Sequence, residues 1–421
     1  MEQPKPIDYD LVTGEYRKTT LDSGLRIVTE SMPHVQSLAI GIWVLTGSRF
    51  EQLSQNGISH LLEHMVFKGT QTRSAYDIAI SLEALGGHLN AFTEREHTCY
   101  YAIVLKDNLK EAVDILSDLV LNPGLDSKDL KKEKQVIVEE IHNLEDTPED
   151  LVHDIWTQTV FGDNALGWPI LGTEESVMQI QEEDIDAYRR QYYSANNIIV
   201  AAAGALDHRE LVGLVETAFY RLLPSTIDTP KSANEPREAI DKIVKGATSQ
   251  LHLCTGSTTY GYLDKRKFPL IVMNTYLGGG MSSRLFQELR ETRGMAYSVF
   301  SNLDFWVDIG LFSIYIGSNP KNQNEILNIL KKEMDQLAEK PLSESDLNRV
   351  KSQLSRSIVL SLEDHSNRMS RLAKMEAYTH EYFPISDVVQ LIQDVNQDDI
   401  QLVSEQTFQK QVQISTSICP E

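Results

Sequence analysis

Cysteine is scarce: Cys99, Cys254 and Cys419 are the only three in 421 residues. An odd, widely separated set is neither a disulfide framework nor a cysteine zinc knuckle; buried, idle thiols are expected. Basic charge is short as well. Lys and Arg total 39 against 61 Asp and Glu, a net charge of −22. Phosphate binding needs a basic face, so nucleic acid is excluded as the main partner. The acidity names no partner of its own; it describes a solvated surface with a mild bias toward basic substrates. Long apolar runs are missing too. The longest, "IIVAAAGAL" from Ile198 to Leu206, falls far below the about 20 residues of a membrane helix, so no membrane association is expected. The opening "MEQPKPIDYDLVTGEYRK" has no apolar core and no Arg-rich amphipathic stretch. No leader is expected, and a reducing cytoplasm is the default location.

What is present is a mixture of strand and helix signals. "SLAIGIWVLTG" (Ser37 to Gly47) is β-branched, apolar and bounded by turn residues, which predicts a buried strand. A helix follows across "NGISHLLEHMVFKGT", with Asn56 and Ser59 as its expected caps. A second helix covers about Ala75 to Leu85 and stops at Gly86-Gly87. Strands are predicted in "HLNAFT", "TCYYAIVL" and "NIIVAAAG". Helices are predicted over Leu109 to Leu121, Lys128 to Leu144, Asp184 to Tyr193 and Arg209 to Tyr220. "LPSTIDTPKSANEPREAID" (Leu223 to Asp241) carries three prolines and no periodicity, the marks of a linker.

The second half repeats the first. "LDSKDLKKEKQVIVEEI" (Leu125 to Ile141) aligns without gaps on "LSESDLNRVKSQLSRSI" (Leu342 to Ile358), 217 positions later. Leu125, Asp129, Leu130, Lys134 and Ile141 match Leu342, Asp346, Leu347, Lys351 and Ile358. "EDIDAYRRQYY" likewise resembles "DDIQLVSEQTF", 215 positions on. A period near half the chain length means two related domains: residues 1–222, a linker at 223–241, and residues 242–421. Strands and helices mix in both, which is α+β or α/β.

"HLLEH" raises the chemical question. At about 100° per residue, His60 and His64 lie on one helix face with Glu63 beside them, while Ile58, Leu61, Leu62, Met65 and Val66 cover the other. Reversed, the string is H-E-x-x-H, the spacing that brings two zinc ligands and a general base together; the forward order is the inverzincin motif. A surface helix with two histidines and a glutamate would look the same, so a second feature matters. On the helix around "EKQVIVEEI", Glu133 and Glu140 are set seven apart in an apolar stripe with Leu130, Ile137 and Leu144. Buried carboxylates need a charged or metal partner, and lysine partners would also satisfy them. Two histidines and one carboxylate leave the fourth position of a tetrahedral zinc for water. Glu140 is therefore the expected third ligand and Glu133 a supporting acid. At the repeat offset, Glu133 and Glu140 fall on Val350 and Ser357, and the second half has no H-x-x-E-H, so only the first copy keeps the metal set. His88, His97, His142 and His153 are read as non-ligands.

These residues resemble the pitrilysin/insulinase family of zinc peptidases, most closely its bacterial members similar to the mitochondrial processing peptidase beta subunit. The resemblance runs from about Tyr16 to the end. It rests on "HLLEHMVFKGT", "EKQVIVEE" and a third block, "SSRLFQELRETRGMAYSV" (Ser282 to Val299). It implies an α+β fold of two homologous domains, each a mainly antiparallel sheet packed with helices, together half of a clamshell. It implies Zn²⁺ held by His60, His64 and Glu140, with Glu63 activating water and Glu133 supporting. Arg290 and Tyr297, of the same or the partner chain, would bind substrate backbone and stabilise the oxyanion. Asn90, Ala91 and Phe92 would contact an extended peptide along an edge strand. It further implies a homodimer, which supplies the four domains of a closed chamber, and a peptide or unfolded segment as substrate. Two rivals remain open: a non-catalytic assembly or peptide-binding subunit on the same scaffold, and a structural zinc protein whose fourth ligand is a side chain such as cysteine.

Overall fold

The computed structural model describes residues 14–84, 86–233, 236 and 238–420. The start of the opening stretch (1–13), Leu85 of the second expected helix, and Asn234, Glu235 and Arg237 of the linker lie outside the described residues.

The strands are β1 (Glu15–Thr20), β2 (Arg26–Ser31), β3 (Ser37–Val44), β4 (His88–Thr93), β5 (Thr98–Leu105), β6 (Ile198–Gly204), β7 (Ile240–Lys245), β8 (Leu251–Tyr260), β9 (Ala296–Phe305), β10 (Ile309–Ser318) and β11 (Ile414–Cys419). Helices α1 (Ile58–Val66), α2 (Ala75–Glu83), α3 (Leu109–Leu121), α4 (Ser127–Glu145), α5 (Pro148–Phe161), α6 (Glu174–Gln179), α7 (Glu182–Tyr192) and α8 (His208–Phe219) belong to the first half. The second half has α9 (Lys267–Gly278), α10 (Gln323–Glu339), α11 (Glu344–Ser361), α12 (His365–Tyr378), α13 (Ile385–Asp394) and α14 (Gln397–Glu405). The expected strands and helices of the first half fall on β3 to β6, α1 to α4, α7 and α8; β1, β2, α5 and α6 are additions.

The fold is α+β, with two compact units each built on one sheet. The first unit comprises residues 1–139, 169–230 and 359–386, and the second residues 140–168, 231–358 and 387–421. The first sheet runs β1-β2-β6-β3-β5-β4 and the second β7-β11-β8-β10-β9. In each, one pairing is parallel, β2 with β6 and β7 with β11, and the rest are antiparallel. The two orders are one topology, with β1 added to the first. The repeat seen in the sequence is therefore a repeat of the fold.

Each unit takes a helix from the opposite half of the chain. In the first unit, Met369, Leu372 and Ala373 of α12 pack with Val28, Trp43, Ile199 and Ala201 under the sheet. The Arg368 guanidinium, 1% exposed, pairs with Glu30 at 2.5 Å. In the second unit, Val152, Trp156 and Val160 of α5 pack with Cys254, Leu311, Tyr315 and Ile418. Trp156 Nε1 donates to the Ile414 carbonyl at 2.9 Å. Residues 148–161 and 365–378 stand 217 positions apart, so the exchange is reciprocal. All three cysteines are free thiols and buried.

Candidate metal centre

α1 forms because its apolar residues share one side. Ile58, Leu61, Leu62, Met65 and Val66 are fully buried, and each such side chain contributes about 1.5–3 kcal/mol of transfer free energy. The helix begins at Gly57, whose φ of +94° a residue with a Cβ rarely adopts. An added Cβ there would also meet the Leu171 carbonyl at 2.7 Å. Neither expected cap does the capping. Glu51, six residues before Gly57, accepts from the Gly57 and Ser59 amides at 2.8 and 2.9 Å and from the Asn56 side chain at 2.8 Å. Asn56 instead braces the cap, and the Ser59 hydroxyl pairs with Tyr188 Oη at 2.8 Å. A carboxylate serves well here because the helix start carries unpaired donors and partial positive charge.

With one face packed, His60, Glu63 and His64 occupy the other, half-buried. The two imidazoles stand with ring centroids 4.6 Å apart. Burial, and next the neighbouring His64, pull the His60 pKa down to about 3, so at neutral pH this ring is a neutral lone-pair donor.

α4 supplies the carboxylates. Ile137 is fully buried, Leu130 and Ile141 nearly so, which seats one face of the helix. Glu133 is 5% exposed. Its Oε2 lies 3.3 Å from His64 Nδ1 and its Oε1 lies 2.8 Å from Lys68 Nζ. A carboxylate at Nδ1 fixes the ring's tautomer and orientation, with Nε2 as the lone-pair atom. Glu139 faces solvent, while Glu140 turns toward the histidines. Ligand atoms of His60, His64 and Glu140 all lie within 4.8 Å of one another. Two imidazoles and one carboxylate are donors that zinc takes, and three of them would leave one coordination position over.

Glu63 is held from the sheet. Thr93, the last residue of β4, donates to Glu63 Oε2 at 2.6 Å. β4 is an edge strand of its sheet, pairing among the described residues with β5 alone. Asn90 is exposed along it, and its Oδ1 accepts from the Ala91 amide at 2.8 Å. The Phe92 ring packs edge-on against Trp43, centroids 5.5 Å apart, so this side chain belongs to the core.

In the second unit, Arg290 lies in a π-helical turn, Phe286–Thr292, and Tyr297 in β9. Arg290 Nη1 donates to the Tyr297 carbonyl at 2.7 Å, and its guanidinium lies 4.9 Å from the Phe286 ring centre. A π-helical turn is a rare local geometry that often accompanies a functional site.

Sequence reading missed Glu51, Lys68 and Thr93. Lys68 follows His64 by four positions, a helical-wheel signal in plain view. Glu51 and Thr93 reach α1 from neighbouring segments and carry no local signal.

Comparison with known proteins places the chain among relatives. Residues 26–174 match the family model "Insulinase (Peptidase family M16)" and residues 179–354 match "Peptidase M16 inactive domain". An uncharacterized zinc protease of Streptomyces coelicolor is 40% identical over 96% of this chain and 89% of its own length. An uncharacterized zinc protease of Bacillus subtilis is 37% identical over 93% of this chain and 95% of its own. The crystal structure of a protease from Helicobacter pylori has the same fold, with a TM-score of 0.89 at 23% identity, covering 97% of this chain and all of that one. So has a peptidase M16 inactive domain from Pseudomonas fluorescens, with a TM-score of 0.90 at 17% identity over 96% of this chain and 98% of its own. The chain belongs to the insulinase family of peptidases, family M16.

Proposed function

We propose that the chain is a zinc-dependent endopeptidase. The observation that carries this reading is the convergence of His60, His64 and Glu140 within 4.8 Å, with Glu63 on the same helix face. Relatives named zinc protease across nearly the whole chain support it. His60, His64 and Glu140 hold the metal, and Glu133 steadies His64. When bound, zinc supplies Lewis acidity toward water and toward a peptide carbonyl. Glu63 takes the proton from the attacking water and returns it to the leaving amine as the C–N bond breaks. Thr93 keeps the Glu63 carboxylate aimed.

Substrate is a peptide or unfolded segment lying extended along β4, where main-chain bonding tolerates many sequences. Asn90 and Ala91 contact it through backbone and exposed side chain. Phe92 contributes its backbone only, because its ring is spent on Trp43. Arg290 and Tyr297 bind substrate backbone and donate to the oxyanion, a contribution of about 3–4 kcal/mol per donor. The working form is a homodimer in the cytoplasm whose two copies enclose the cleavage chamber.

Glu63→Gln tests the reading. The variant should bind zinc and keep its fold while losing peptide cleavage. Turnover near the wild-type rate would refute the role of Glu63, and a wild-type chain that cuts nothing in a broad peptide library would favour a binding subunit.

A further inference from the structure

β9 and β10 pair regularly from Phe305 opposite Gly310 to Ser298 opposite Gly317, and then Ala296 stands opposite Ser318. Tyr297 is thus the extra residue of a β-bulge, a device that re-aims a side chain. Its ring lies across Gly317. A Cβ added at Gly317 would overlap the Tyr297 ring carbons and hydroxyl oxygen, so only glycine lets the ring lie flat on the strand.

Two polar side chains stand beside Gly317 on that face. Tyr315 is two residues before Gly317 on β10 and so shares its face; His252 on β8 stands directly opposite Gly317. The Tyr315 side chain is fully buried. Its hydroxyl stands 2.9 Å from His252 Nδ1, beside the Gly317 position over which the Tyr297 hydroxyl lies. His252 is 5% exposed, and its Nε2 lies 3.4 Å from Thr248 Oγ1. Tyr297 itself is 43% exposed. Burying a phenol and an imidazole costs free energy that a phenylalanine and a leucine would not, yet the buried pair serves a half-exposed tyrosine. Tyr297 is also held at its other end, where its carbonyl accepts from Arg290.

We propose that Tyr315 and His252 are positioning residues that fix the Tyr297 hydroxyl over Gly317 and direct its proton outward. The inference rests on the reading of Tyr297 as a donor to the oxyanion. With Nδ1–H of His252 donating to the Tyr315 oxygen, Tyr315 O–H donates to the Tyr297 oxygen. The Tyr297 proton is then left for an acceptor outside the protein. Reversing the chain turns that proton inward, so an arriving carbonyl oxygen selects the outward polarity, and His252 matches it by its tautomer.

The experiment uses the full chain with tyrosine labelled at Cζ with ¹³C, and the Tyr297 resonance is assigned by its loss in Tyr297→Phe. Tyr315→Phe should shift that resonance with no substrate present, and Gly317→Ala should shift it with Tyr315 and His252 intact. In the zinc-loaded chain, Tyr315→Phe should lower kcat about tenfold at unchanged KM. In the Tyr297→Phe background the same change should cost less than about twofold. A Tyr297 resonance unmoved by Tyr315→Phe, or an equal loss of kcat in both backgrounds, overturns the proposal. A wild-type chain without peptidase activity sinks the reading of Tyr297 instead, and the resonance still decides whether Tyr315 holds the hydroxyl.

Discussion

The Thr93 hydroxyl donates to Glu63 Oε2 at 2.6 Å, which ties an edge strand to the helix that carries the H-x-x-E-H string. A hydrogen bond to a charged group contributes about 1.5–3 kcal/mol. Where that bond aligns a general base, its loss appears in the rate. Thr93→Val should lower kcat about 10–100-fold with zinc content unchanged. Thr93→Ser, which keeps the donor, should stay near wild type. A valine variant with the wild-type rate would remove Thr93 from the account.

Glu133 bridges His64 Nδ1 at 3.3 Å and Lys68 at 2.8 Å. A carboxylate behind a ligating histidine orients the ring and raises its basicity. Glu133→Gln should weaken zinc binding about 10–100-fold, read by competition with a chromogenic chelator. Unchanged affinity would mean that Glu133 serves Lys68 alone.

Glu51 is a buried carboxylate whose oxygens accept from the start of α1. Glu51→Ala should cost about 2–4 kcal/mol, seen as faster amide exchange in α1. Burial raises its pKa above 4.5, against opposing hydrogen bonds from Ser59, Asn56 and Gly57. The folded state then holds the proton more tightly than the unfolded one. The Glu51 contribution to stability therefore falls as pH rises from about 4.5 through the raised folded value, and is level above it. Denaturant melts at stepped pH should show this slope in wild type and a flatter curve in Glu51→Gln.

Much of this was legible in the sequence, and the boundary is physical. α1, α3 and α4 carry apolar residues at helical spacing, and β3, β5 and β6 are apolar runs bounded by turns, so local pattern suffices. The convergence of His60, His64 and Glu140 was foreshadowed for the same reason, since helical periodicity puts His60 with His64 and Glu133 with Glu140. β1 was not: "EYRKTT" is mostly exposed and lacks alternation. The exchange of α5 and α12 was not either. It depends on Trp156 meeting Ile414 and Arg368 meeting Glu30, contacts separated by 258 and 338 residues. Asn56 and Ser59 have the chemistry of caps, but a buried Glu51 with two oxygens outcompetes them for the same amides.

The matched lysines show what the repeat preserves. Lys134 Nζ donates to the Met178 carbonyl at 3.0 Å, and Lys351 Nζ to the Gln393 carbonyl at 2.6 Å. Each is 7% exposed. Burial lowers both pKa values, with Asp184 opposing at Lys134 and Asp394 and Asp399 at Lys351. Lys134→Ala and Lys351→Ala should each destabilise by about 1–3 kcal/mol in urea titrations, leaving a carbonyl unpaired. A cost at one site and none at the other would mean that the two positions share geometry without sharing a role.

The central claim is that two imidazoles of α1 and one carboxylate of α4 grip a single zinc ion and leave a position for water. Zinc K-edge X-ray absorption on the loaded chain reads this directly. The account predicts one zinc per chain with two imidazole nitrogens at about 2.0–2.1 Å, oxygen in the remaining positions, and loss of tight binding in Glu140→Gln. A sulfur shell near about 2.3 Å, or zinc held as tightly by the Glu140→Gln variant, would contradict it.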